Sequence, residues 1–149
     1  MNKIILLIIL LVCSTVLKAQ QLPTKDEQKV QKTVINFFEA LSNRDSIALK
    51  KYATDDIVLH EYGSIWNADT LIRKAIKLNT ANDFTRSNAI DFISTTVTNK
   101  TAWATYNLFS EIIRDGKKVS MQWLETVIVL KKKKAWKIKV LHSTLIKRN

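Results

Sequence analysis

The run from Thr101 to Ser143 constrains this chain more than any other stretch. It reads as three long strands, rich in β-branched and aromatic residues, joined by two tight turns. Asp115-Gly116 makes the first turn, because both residues tolerate positive φ and so suit a two-residue hairpin loop. The second lies within Lys131 to Lys134, with Lys132-Lys133 taken as its loop. Loops of two residues fix register, and register decides which side chains share a face. Arg114 then pairs with Lys117, Leu108 faces Trp123 and Tyr106 faces Glu125. Across the lysine turn, Trp123 faces His142 and Glu125 faces Val140; a three-residue loop there would turn His142 outward. One side of the sheet carries Tyr106, Leu108, Trp123, Glu125, Trp136, Ile138, Val140 and His142. The other carries Thr105, Asn107, Gln122, Thr126, Lys137, Lys139 and Ser143, and the lysines belong in water, so the first side faces inward. The outer side is interrupted by an apolar strip of Trp103, Leu124, Ile128 and Leu141.

Upstream, Asn88 to Thr98 alternates as a strand does, and Asn99-Lys100 turns it back into Thr101. With a two-residue turn, Asp91 aligns with Leu108 and Ile93 with Tyr106 on the inner face. Before it come helices. Thr24 and Glu27 form a capping box that opens a helix to about Ser42, with Val30, Val34, Phe37, Phe38 and Leu41 on one stripe. Asp45 or Ser46 caps a second, short helix through Tyr52. Ile57 to Tyr62 is extended and ends at Gly63, while Asp55-Asp56 reads as water-facing acids before a strand rather than as a site. Asn67 caps a third helix, about Ala68 to Leu78. Helices set apart from a run of strands indicate an α+β fold. Such a meander must twist, and the expected shape is a cone: a strongly curved antiparallel sheet packed against three N-terminal helices.

Residues 1–19 read as a signal peptide. Lys3 gives a positive start, Ile4 to Val12 is an unbroken apolar run, and Leu17-Lys18-Ala19 is a small-residue cleavage site. The apolar run is shorter than the roughly 20 residues a membrane span needs. Residues 20–26 then form a linker and helix cap, and 27–145 a single domain. The expected location is exported, periplasmic or secreted, with no transmembrane segment in the mature chain. Cys13, the only cysteine, lies in this leader. A lipid anchor there is disfavoured, because Val12 stands where a lipoprotein signal has a small residue. Cleavage after Ala19 leaves no thiol for disulfides, nucleophilic catalysis or metal binding.

The full chain carries a formal charge of +11, and removing Lys3 and Lys18 leaves +9. Such a surface can favour nucleic acid or anionic membranes. Here the lysines are scattered over helices and strand tips without interleaved aromatics, so a solvated surface, and no nucleic-acid partner, is expected.

The layout resembles the nuclear transport factor 2-like superfamily, and within it the small SnoaL-like domains. The resemblance covers about Glu27 to Ser143. It rests on Phe38-Glu39-Ala40-Leu41 through Arg44-Asp45, then Tyr52-Ala53-Thr54-Asp55-Asp56-Ile57-Val58, then Trp136-Lys137-Ile138 with His142 and Ser143 after it. It implies a curved sheet against helices, a pocket at the wide end and, often, a homodimer through the sheet. Members include isomerases, cyclases and dehydratases that use a pocket acid, and others that only bind ligands or serve in assembly. None of their catalytic acids carries over onto a matching motif here, and fold alone does not give function.

The inner rows name the candidate chemistry. Asp91, Glu125 and His142 are the candidate acid–base residues, since burial raises a carboxyl pKa toward neutrality. His60, Trp66, Tyr106, Trp123, Glu125 and His142 are the candidate ligand-binding residues for a small, partly apolar molecule. No metal site or cofactor is expected. The two histidines lie on separate strands, there is no Gly-x-Ser-x-Gly elbow, and the two glycines, Gly63 and Gly116, cannot make a phosphate loop. Three functions stay open: a binding domain without catalytic signature, an isomerase, cyclase or dehydratase using Glu125 or Asp91 as base, and an interaction module using the outer strip.

Overall fold

Thr24 opens the first helix as the capping box requires: its amide donates to Glu27 Oε2 at 2.7 Å and its Oγ1 accepts from the Glu27 amide at 3.3 Å. The computed structural model describes residues 22–149, so the expected signal peptide and Cys13 lie outside the described residues. Helix α1 (Lys25–Ser42) buries Val30, Val34, Phe37, Phe38 and Leu41, the stripe its 3.6-residue period places on one face. Asp45 accepts from the amides of Ile47 and Ala48 and starts α2 (Ser46–Tyr52). That helix runs directly into β1 (Ala53–Glu61). A turn through Tyr62 and Gly63, both at positive φ, leads to the short β2 (Ser64–Trp66). Asn67 then caps α3 (Ala68–Leu71), which continues as a wider π-helical segment over Ile72–Lys77. Four long strands follow: β3 (Thr85–Thr98), β4 (Thr101–Arg114), β5 (Lys117–Lys132) and β6 (Ala135–Arg148).

The fold is α+β, with one curved, open sheet of six strands in the order β2-β1-β6-β5-β4-β3. The sheet is mixed rather than antiparallel throughout, because β1 pairs parallel to β6. They are the first and last strands of the sheet in chain order, so no hairpin forces them to run against each other. The core fills the space between α1 and the concave side, where Ala102, Ala104, Leu108, Val127, Val129 and Ile138 are buried. None of the helices among the described residues is long and apolar enough to cross a membrane.

Register between β4 and β5 follows the Asp115-Gly116 loop: Arg114 pairs with Lys117, Leu108 with Trp123 and Tyr106 with Glu125. Asp115 and Gly116 sit at φ 53° and 70°, and both donate their amides to the carboxylate of Asp83, at 2.8 and 2.7 Å. Two neighbouring pairings depart from expectation. In β3 the register shifts between Phe92 and Ser94, leaving Ile93 without a partner. In β6 it shifts between Ile138 and Val140, leaving Lys139 as the extra residue. A bulge inserts one residue and bends its strand, and the side chains beyond it change face. The lysine loop is Lys133-Lys134, with Lys132 paired to Ala135, so Trp136 lies opposite Lys131. That slide keeps Trp136 and Ile138 inside, and the bulge at Lys139 then turns Val140 and His142 out and Leu141 and Ser143 in.

Candidate functional site

The bulges decide which polar side chains reach the concave face. Asp91 pairs with Asn107 rather than Leu108 and is exposed; the extra residue at Ile93 has rotated it to the convex side. His142 pairs with Thr126 on β5 and with His60 on β1, and both histidines are exposed. Their rings meet edge to face at 5.7 Å on the outer surface. Asp91, His60 and His142 are thus corrected out of the inner wall. Leu141 is likewise buried rather than part of the outer strip.

Glu125 remains inside, 3 % exposed, and its neighbour on β6 is Ser143. Ser143 Oγ lies 2.7 Å from Glu125 Oε1 and 2.8 Å from Glu61 Oε1. A hydroxyl carries one hydrogen and can donate it to one oxygen only. The second short contact therefore needs a proton on one of the two carboxyls, donated back to the hydroxyl. Glu61 reaches this point because Ile57, Leu59 and Glu61 alternate onto the inner face of β1. Burial pushes Glu125 up to about 7, with Ser143, Tyr106 and Arg86 opposing the rise and Glu61 adding to it. Burial also raises Glu61, against the pull of Ser143. Tyr106, paired with Glu125 across β4 and β5, is fully buried, edge-on to Phe38 and tilted against Phe92. Burial and the neighbouring Glu125 charge raise its phenol well above the ordinary range. Tyr106 Oη and Glu125 Oε2 are both buried, and each is the other's polar neighbour, although neither completes a well-formed hydrogen bond.

Arg86 completes the polar group. It enters from β3 in phase with Asn88, Ile90 and Phe92, the inner residues before the bulge. Its Nε donates to Asn88 Oδ1 at 2.9 Å and its Nη2 to Ser110 Oγ at 3.2 Å. Asn88 is itself held, donating to Ser42 on α1 at 2.7 Å and accepting from Ser110 at 2.7 Å. The guanidinium lies 5.8 Å from the ring centres of Phe38 and of Trp123, within cation–π range. Burial lowers the Arg86 pKa, while Glu125, Tyr62 and Glu61 act in the opposite direction.

These groups open onto a cavity of about 280 Å³ between α1, α3 and the sheet. Phe38, Trp66, Leu108 and Trp123 supply apolar wall, Glu61, Glu125 and Arg86 the polar side, and Lys74 and Arg114 further positive charge. Lys74 Nζ stands 4.6 Å from the Trp66 ring centre. Of the residues expected in the pocket, Trp66, Trp123 and Glu125 line it, and Tyr106 lies fully buried beside Glu125 without lining it. Glu61, Arg86 and Ser143 were not anticipated. Among the described residues no group of three or more His, Cys, Asp or Glu side chains is placed to hold a metal.

A family model for SnoaL-like domains matches residues 30–146. No curated protein matches the chain in sequence. Among solved structures the chain is similar to a nuclear transport factor 2-like protein from Cytophaga hutchinsonii, with TM-score 0.67, 14% identity, and coverage of 83% of this chain and 100% of that one. A ketosteroid isomerase-like protein from Erwinia carotovora atroseptica superposes with TM-score 0.68 at 14% identity, covering 84% of this chain and 99% of that one. A type 2 hexachlorocyclohexane dehydrochlorinase superposes with TM-score 0.69 at 10% identity, covering 83% and 87%. At such identities the likeness is one of fold.

Proposed function

The chain belongs to the SnoaL-like domain family, and from that premise we propose that it binds a small, partly apolar molecule in the cavity beneath β3 to β6. The observation that carries this reading is the hollow itself: aromatic walls of Trp66 and Trp123 close on a polar side made by Glu61, Glu125 and Arg86. A concave, largely apolar space with a few convergent polar groups is the usual form of a small-molecule site. At about 30 Å³ for each water-sized group, the space takes on the order of ten non-hydrogen atoms. A fragment screen read by NMR tests it. Binders should move the indole signals of Trp66 and Trp123 and leave those of Trp103, on the outer face, in place. Fragments that bind only around Trp103, or nowhere, contradict the reading.

A second reading is favoured by the Glu125 carboxyl being balanced near neutrality. A group of pKa about 7 can accept a proton from a bound molecule and return it elsewhere, the work of a general base in an isomerase or dehydratase. Ser143 and Glu61 give that proton somewhere to go. For any ligand found, Glu125→Gln should keep binding and stop exchange of the ligand's acidic C–H hydrogens with deuterated water. Unchanged exchange in the variant removes the catalytic reading and leaves the binding one.

The proposal includes export, for which Lys3, Ile4 to Val12 and Ala19 are the support. It also includes a homodimer through the convex sheet face, where Trp103, Leu124 and Ile128 are 43 %, 39 % and 41 % exposed, and Ile128 pairs with Val140. A patch of that kind is uncommon on a monomer.

A further inference from the structure

Arg86 is more than a wall residue. Its guanidinium is inserted between α1 and the sheet, and fixed by Asn88, Ser110 and the rings of Phe38 and Trp123. It makes no ion pair; the pairs among the described residues join other side chains. Desolvating a cation is costly unless an anion meets it. Asn88 and Ser110 occupy Nε and one side of Nη2, and among the described residues Nη1 donates to no protein group. What remains open is the end-on fork of Nη1 and Nη2, the arrangement a carboxylate spans with two parallel hydrogen bonds.

The carboxyls of the site do not fill that role. The Ser143 bridge needs a proton on the Glu61–Glu125 pair, which limits the pair to one negative charge. Arg86 balances that charge; Arg114 already faces Asp115 at 3.8 Å, and Lys74 on the same cavity remains in excess. An incoming monoanion therefore meets a net positive wall at a donor pair already oriented.

We propose that the ligand of this cavity is a small apolar carboxylate, its carboxylate held by the Nη1–Nη2 end of Arg86 and its apolar body against Trp66 and Trp123. The inference rests on the cavity being a ligand site, and adds the chemical class and the residue that reads it. Arg86 selects the anion because its fork is held in place by the Ser42–Asn88–Ser110 network before any ligand arrives.

The experiment compares benzoate with benzamide, which has the same shape and no charge. Binding to the protein is followed by the Arg86 Nε–H and Trp123 indole signals in NMR titrations. A hydrogen bond to a charged partner is worth about 1.5–3 kcal/mol, so benzoate should bind about tenfold to a hundredfold more tightly. Arg86→Met, which keeps the apolar stem, should erase the difference, and Arg86→Lys should restore part of it. Benzamide binding as tightly as benzoate overturns the carboxylate assignment while leaving the cavity a ligand site. A benzoate preference that survives in folded Arg86→Met overturns the role of Arg86. If neither compound moves the Trp123 or Arg86 signals, but neutral apolar fragments do, the anion inference falls alone. If no fragment does, the cavity reading falls and the inference with it.

Discussion

Replacing Glu125 by Gln should make the protein less sensitive to alkali, and the size of the effect follows from the site. The folded carboxyl sits near 7 because burial disfavours its charge, against an ordinary value of 4.5. An acid whose folded pKa is raised binds its proton more tightly folded than unfolded, so its stabilising contribution is full below about 4.5 and is lost as pH rises to about 7. The whole difference corresponds to about 3 kcal/mol, at about 1.4 kcal/mol for each tenfold change in ionisation constant. Roughly 0.8 kcal/mol is already lost at about pH 5, leaving about 2.5 kcal/mol between about pH 5 and pH 8. Gln keeps the shape, can accept from Ser143 and does not ionise. Urea unfolding of both proteins at the two pH values isolates this contribution. Glu61 loses its charged neighbour in the variant, which adds to the same difference, and Asp26, Asp56 and Asp83, all held low by their partners, titrate below the window. The stability of Glu125→Gln relative to wild type should rise by about 2–3 kcal/mol between about pH 5 and pH 8. Parallel pH profiles, or a wild type that gains on the variant as pH rises, would refute the argument that burial disfavours the charged form of Glu125.

Ser143→Ala removes the hydroxyl that opposes the rise of Glu125 and Glu61, so the loss of stability on raising pH, which starts at the same pH, should continue to higher pH than in wild type, and the variant should lose about 1–3 kcal/mol at about pH 5 in urea unfolding. A profile that moves to lower pH would contradict the bridge. His142→Ala should leave binding in the cavity unchanged in the same fragment titrations, since the ring lies on the outer surface; a lost binder would return His142 to the site. Trp103→Lys should lower the fraction of dimer in sedimentation velocity without lowering the urea midpoint of the monomer, and wild-type protein that sediments as a monomer at high concentration would remove the dimer. Asp83→Asn should cost its full amount of stability above about pH 4 and progressively less as pH falls below that, because the carboxylate that caps the Asp115-Gly116 turn is held low by those two amides; an equal loss at all pH values would show another cause.

The parts of this fold that could be read in the sequence are those governed by local rules. Thr24 and Glu27, Asp45 and Asn67 cap helices because side-chain oxygens and free amides meet within three residues. The Asp115-Gly116 loop fixes fourteen consecutive pairs between β4 and β5, and with them Tyr106, Trp123 and Glu125 on one face. Sheet curvature is not local. Ile93 and Lys139 look like ordinary strand residues, yet each is the extra residue that lets a long strand bend over the helices. Trp136, Ile138, Val140 and His142 alternate without a break, so nothing in β6 itself announces that Leu141 and Ser143 are the inner residues. The lysine run adds to this, because four identical residues cannot say which two form the loop. Glu61 was legible from its phase with Ile57 and Leu59, whereas Arg86 could be placed only once the bulge at Ile93, further along the same strand, was known.

The account turns on Glu125 being a buried carboxyl that shares a proton with Glu61 through Ser143 and faces an open cavity. Following the side-chain carboxyl carbons of both residues by NMR across the pH range tests this without a ligand or a reaction. The account predicts separate steps, with Glu125 changing near 7 and each residue's signal sensing the other's ionisation. Two independent, ordinary titrations near 4.5 would contradict it.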